Sequence, residues 1–287
     1  MMAMPTGMPA MSGPEYVGAG TCLAWPLPLD GTCASVARNL FGEVAAEMDL
    51  PGDLIEDGVT MASELAANTL HAQGNVEFDG SRQRPVTGFP ELWLYFRGLD
   101  GDCELVCKVF DSQRGWTGPP PDPAGAALEA GANLDAVRGR GLQVVAGLSG
   151  GRWGHHLTRA RLGRWKVQGK AVWFALPVPR SFVPGYLRGH AGRARDVPGS
   201  CQAGKELEAM LADRGIANRL VRSEELSADI SVLSVRLGLT VWCRDGRATW
   251  TTADGGYASC PLTDLVEAGE QVVRTYEELD CAAAATA

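Results

Sequence analysis

No run of about 18 consecutive apolar residues occurs in the 287-residue chain, which excludes a membrane-spanning helix from its reading. The first twenty residues lack both a basic start and an unbroken apolar stretch. With five Met and several Pro and Gly they read as a disordered tail over 1–20, not as a secretory signal. Paired cysteines are scarce too. The eight cysteines, at 22, 33, 103, 107, 201, 243, 260 and 281, are far apart except for Cys103 and Cys107. Zinc sites need close pairs with a second close pair downstream, so the cysteines are expected to be reduced structural thiols in a cytoplasmic protein. Cys103 and Cys107 lie four apart in a strand-like run, where both face one side as small apolar fillers. Charge is sparse at 21%, while 36 Gly and 17 Pro predict many turns and at least one long loop, not a helical bundle. Repeats are absent. The formal charge of −8 and pI near 5.1 exclude bulk binding to nucleic acid or to an anionic membrane.

What is present suffices for a core. Hydrophobic residues make up 45%, at a length that suggests one large domain plus a smaller one. Over 31–48, Val36, Leu40 and Val44 recur four apart and predict an amphipathic helix. A second helix is predicted over 53–72, with Asp53 as its cap and Glu56 as capping-box partner. Leu54, Ile55, Val59, Ala62, Leu65, Ala66 and Thr69 fall on one side of it, Asp57, Glu64, Asn68 and His71 on the other. Glu91–Arg97 and Cys103–Asp111 read as a hairpin, and 112–136 as a long mobile functional loop. Gly139-Arg140-Gly141 then opens an apolar helix over 142–148. Strands near 155–167 and 171–178 follow, and a Pro/Gly-rich linker covers 181–200. The acidic piece 201–287 shows a helical start, a hairpin around Asp245-Gly246 and a helical end. Trp242 and Trp250 flank that turn, as cross-strand core or as recognition surface.

Charge is unevenly spread. Residues 135–170 hold eight Arg and Lys against the single acid Asp135, whereas residues 1–134 hold six bases and eighteen acids. The basic stretch is either an anion site or a set of solvated strand faces. His155-His156 reads as strand surface. Arg140 sits within a Gly-Arg-Gly turn whose backbone N–H groups and helix dipole suit phosphate oxygens, though such a turn also opens helices that bind nothing.

Glu64 and Asn68 project side by side from one helix. The pair can serve a hydrated cation on phosphates, with Asn as neutral oxygen ligand and Glu as a base for water or hydroxyl, or it can be a plain solvated face. Asp111, at a strand end above Cys107, Val109 and Phe110, can accept from the exocyclic amine of a flat heterocycle, or be an ordinary turn acid.

Glu64-Leu65-Ala66-Ala67-Asn68-Thr69-Leu70-His71-Ala72 resembles the N box of the GHKL, or Bergerat-fold, ATPases in the form it takes in the anti-sigma-factor serine/threonine kinase branch. Val109-Phe110-Asp111 resembles that family's adenine-binding segment. Gly139-Arg140-Gly141-Leu142-Gln143-Val144-Val145, Arg152-Trp153-Gly154 and Gly169-Lys170-Ala171-Val172-Trp173 resemble the branch's later motifs in the same order. The likeness covers about 23–177. It implies an α/β fold, an α+β two-layer sandwich with helices on one face of a mixed sheet, as a histidine kinase-like ATP-binding domain over 21–180. The small α+β piece over 201–287 has no counterpart in the minimal family domain. The implied cofactors are ATP and Mg2+. Asn68 holds the metal, Asp111 binds adenine, Gly115, Gly139, Arg140, Gly141 and Leu142 belong to the lid and phosphate region, and Glu64 is general base. The implied partners are proteins, a sigma factor or its serine- or threonine-bearing antagonist, with a homodimer compatible and direct nucleic-acid or membrane binding not expected.

The pattern departs from the family in three places. Ser112-Gln113-Arg114-Gly115 replaces D-x-G-x-G after the aspartate. Ala171 stands where threonine is usual, removing a hydroxyl expected near adenine and worth about 1 kcal/mol. An insertion lies around 74–90. Two functions follow: a kinase transferring the γ-phosphoryl group, or a non-catalytic ATP-binding module that captures a partner. A sensor histidine kinase is a third class, less expected because no dimerising helix hairpin with an exposed phospho-acceptor His is seen before the N box.

Overall fold

The computed structural model describes residues 15–16, 22–74, 88–98, 101–115, 140–163, 166–182, 198–221 and 230–286. Strand β3 (Glu91–Arg97) is buried at six successive positions and β4 (Glu104–Asp111) at seven. Strands of that kind need cover on both faces. They pair antiparallel from Glu91↔Phe110 to Arg97↔Glu104. Farther along, β5 (Trp153–Arg159) and β6 (Gln168–Pro177) form a hairpin whose second strand inserts beside β4, with Asp111 opposite Lys170. On the other flank β2 (Leu23–Pro26) joins β3, and β1 (Glu15–Tyr16) joins β2. The order is β1-β2-β3-β4-β6-β5. Every described pairing is antiparallel, so the expected mixed sheet is corrected: the β5–β6 hairpin returns its second strand into the sheet with no parallel crossover. Residues 15–16 of the expected tail are a strand.

One face of this sheet carries three helices: α1 (Cys33–Glu47), α2 (Gly52–Gly74) and α3 (Arg140–Leu148). Helix α1 buries Cys33, Ala37, Leu40, Phe41 and Ala45, one stripe at helical spacing. Helix α2 answers with Met61, Ala62, Leu65 and Ala66, and both meet Leu105, Cys107 and Val109 of β4. Cys103 and Cys107 lie together in this core, as their spacing implies, and all eight cysteines are free. The two helices cross at Gly58, where an added Cβ would lie 2.2 Å from the Phe41 ring. Helix α2 starts at Gly52, which puts Asp53 inside the first turn, where its charge favours the helix dipole.

The opposite face is covered by the C-terminal piece. Helix α4 (Ser200–Asp213) precedes a second antiparallel sheet, ordered β11-β10-β9-β8-β7, of β7 (Arg219–Val221), β8 (Ser231–Arg236), β9 (Leu239–Arg244), β10 (Arg247–Thr251) and β11 (Tyr257–Pro261). The expected hairpin is its centre. The last helix, α5 (Leu265–Thr286), has two working stripes. Leu265, Ala268, Val272, Tyr276 and Leu279 pack with the second sheet. Glu267, Glu270, Glu277 and Cys281, spaced three, seven and four apart, meet the first sheet: Tyr95 donates to Glu267 at 2.6 Å, and Arg114 donates to Glu277 at 3.4 Å and to Cys281 at 2.9 Å.

Glu270 is the hub of that contact. One carboxylate oxygen accepts from Arg161 at 2.7 Å and from Arg214, and the other accepts from Lys108 at 3.1 Å. Burial raises its proton affinity, but Arg214, Lys108 and Arg161 outweigh burial and hold it well below the usual carboxylate range. Arg159 pairs with Glu277, and Arg152 with Glu104 at 3.3 Å. At Arg159 and Arg161 the basic stretch is therefore neither an open anion site nor a solvated face. Much of it neutralises acids, and Arg159 and Arg161 do so on α5. His156, expected at the surface, is buried because its strand face lies under α5. Its Nδ1–H donates to the Leu157 carbonyl at 2.9 Å, leaving Nε2 to accept from Lys108 at 3.1 Å.

Burial, with Lys108 beside it, lowers the native pKa of His156 to about 3. The unfolded chain takes up a proton near the ordinary value of 6.5 and the native chain does not, so this residue's contribution is lost as pH falls from there toward the native pKa. Chemical denaturation should show about 2 kcal/mol lost between about pH 7 and pH 5 from this source, and a H156Q chain should lose that part of the slope.

Candidate functional site

Glu64 and Asn68 stand one turn apart on the half-buried flank of α2, and the α2–α3 packing brings Gly141, in the first turn of α3, against them. A Cβ added at Gly141 would lie 2.6 Å from Glu64 Oε2, 3.5 Å from Asn68 Nδ2 and 3.7 Å from Asn68 Oδ1. Only glycine leaves this corner open. Asn68 Nδ2 is buried without a hydrogen-bond partner among the described residues. Such a group costs about 1–3 kcal/mol when left unmade, and it calls for an oxygen acceptor. Turned over, the same amide presents the neutral oxygen that a magnesium ion takes. The corner thus fits an anion, or a cation that brings its own oxygens. No group of three His, Cys, Asp or Glu able to hold a bare metal occurs among the described residues.

Asp111 closes β4 and is 3% exposed. Strand alternation puts it on the helix-bearing face with Cys107 and Val109, and puts Lys170 there with Val172 and Phe174. Lys170 Nζ donates to Asp111 Oδ2 at 2.7 Å and to the carbonyls of Gln113 at 2.6 Å and Gly115 at 3.0 Å. Asp111 Oδ1 accepts the Gln113 N–H at 2.9 Å. The carboxylate is thus oriented by both contacts, with lone pairs left for one further donor. Sequence reading missed Lys170 because its partner is fixed by strand register, not by local spacing. Ala171, expected to remove a hydroxyl near adenine, points to the face opposite Asp111, among Phe110 and Ala175.

Of the remaining predicted residues, Leu142 packs against the main core and Gly115 is exposed where Lys170 holds its carbonyl. Arg140 is the first residue of α3. Gly139 lies outside the described residues, as do 116–138 of the expected loop and 183–197 of the expected linker. Two groups result, both on one sheet face: Glu64 with Asn68 and Gly141, and Asp111 with Lys170 and Gly115. Arg114, between Asp111 and the undescribed segment, donates to Gln168 at 2.7 Å and reaches Glu277 and Cys281 of α5.

A cleft of about 830 Å3 opens on the other side of the sheet, between Lys108, His156 and Trp173 and the β10–β11 turn. Its charges are already matched: Arg97 with Glu104 at 2.7 Å, Lys108 with Glu270 at 3.1 Å, and Arg274 with Glu278 at 2.7 Å.

Comparison of the chain with protein-family models and with curated proteins finds no match. Among the described residues no helix is long and apolar enough to cross a membrane.

Replacing Lys170 by Met strands a buried carboxylate. Urea unfolding should show a loss of about 3–5 kcal/mol, most of it recovered when Asp111→Leu is added, because a paired apolar replacement removes both charges. Additive losses would show that the pair is not coupled.

Proposed function

We propose that the chain is an ATP-binding regulator of the Bergerat type, with protein serine/threonine kinase activity toward an antagonist protein. The observation that carries this reading is the corner where Glu64 and the unpartnered Asn68 amide face the only side-chain-free position of the α3 first turn, Gly141. The N-box likeness of residues 64–72 and the position of Asp111 on the same sheet face support it.

In this reading Asp111, oriented by Lys170, accepts from the amino group of the adenine ring. Backbone N–H groups at the opening of α3 meet phosphate oxygens, helped by the positive end of the helix dipole. Asn68 offers its amide oxygen to magnesium, which when bound neutralises phosphate charge. Glu64 takes the proton of a serine or threonine hydroxyl as that oxygen forms its bond to the γ-phosphorus and ADP departs with the bonding pair. The partners in this reading are a sigma factor or its antagonist.

Titration calorimetry with MgATP tests it. The unaltered chain should bind with a Kd below about 100 µM, while N68A, D111N and G141A should each weaken binding by about tenfold or more. E64Q should bind normally and transfer nothing. Absence of binding at millimolar MgATP contradicts the proposal, and normal binding with no transfer to any antagonist reduces it to a capture module.

A further inference from the structure

The five strands of the second sheet contain no Asp or Glu, yet residues 201–287 hold fourteen acids against eight Arg and Lys. The acids among its described residues lie in helices and connections. The strands do contain four arginines. Arg236 points inward, over the Tyr276 ring and 3.5 Å from Asp280. Arg219, Arg244 and Arg247 point outward by strand alternation, are exposed, and make no ion pair with a described residue.

Arg244 and Arg247 are directly opposite in register. Like charges so placed destabilise a strand pair. Asp245, in the turn between them, forms no ion pair with either. Arg247 instead donates to the Ser259 hydroxyl at 2.7 Å. Next to the pair lies Trp242, 43% exposed and flanked in register by Val232 and Thr249. Trp250 shows the alternative fate of an indole in the same sheet: it is 2% exposed and donates to Thr275. Tryptophan and arginine together are the residue types that dominate binding hot spots.

We infer that this outer sheet face docks an acidic segment of a partner protein, an apolar side chain of the segment lying on Trp242 and its carboxylates meeting Arg244 and Arg247. Charge complementarity selects the occupant. A carboxylate shared by the two opposed arginines relieves their repulsion and forms charge-assisted hydrogen bonds. Nucleic acid fits less well: three arginines on a chain of −8 neutralise too few of its closely spaced phosphates. The inference is independent of the nucleotide reading.

Fluorescence anisotropy on the full chain decides it, with a labelled peptide of about twelve residues alternating Glu and Leu around one Phe, in about 50 mM salt, where surface charges are weakly screened. The peptide should bind, and binding should weaken by about tenfold in W242A and by more in R244E/R247E, both of which should keep the native circular dichroism spectrum. The same peptide with Lys for Glu should not bind. No binding of the acidic peptide, equal binding by both variants, or tighter binding of a thymidine oligonucleotide of equal charge would overturn the proposal.

Discussion

A single carboxylate, Glu270, decides how the two halves of this chain meet. Three cations from three different places, Lys108 on β4, Arg161 after β5 and Arg214 after α4, converge on its two oxygens in the dry layer beneath α5. Burying such charges is unfavourable unless every one is matched. The match fixes the rotation of α5 about its own axis, since only one stripe of the helix can present acids to the first sheet while the next presents Leu and Val to the second. The C-terminal piece is thereby a structural layer of the larger sheet, which explains why β3 and β4 are apolar on both faces.

That arrangement separates two sides of one sheet. The covered side holds the buried ion pairs to α5 and, beside them, the cleft at Trp173. On the other side, Asn68 Nδ2 has no partner among the described residues and faces Gly141, which carries no side chain, with the Lys170–Asp111 pair set into the same face. Arg114, three residues after Asp111, reaches from this face to Glu277 and Cys281 of α5.

Much of the helical layer was legible in the sequence. The 3.6-residue stripes of α1 and α2 and the spacing of Glu64 and Asn68 are local features, and the structure returns them within a few residues. The strand pair 91–97 and 103–111 was legible for the same reason. Long-range register was not: nothing near Lys170 marks Asp111 as its partner, and nothing near residues 159–161 marks α5 acids more than a hundred positions away as theirs. A basic cluster in sequence thus read as either an anion site or solvated strand faces, although Arg152, Arg159, Arg161 and Lys170 are matched by acids of the chain. Strand β8 alternates buried and open positions in SVLSVR but joins β9 through only Leu237 and Gly238, too short a break to separate the two by eye.

Hydrogen exchange read by mass spectrometry, with and without a magnesium-bound non-hydrolysable ATP analogue, tests the central claim most directly. Protection should appear around residues 64–68, in 111–115 and at the opening of α3, with the second sheet unchanged. Protection confined to the cleft beside Trp173, or none anywhere, would contradict the account.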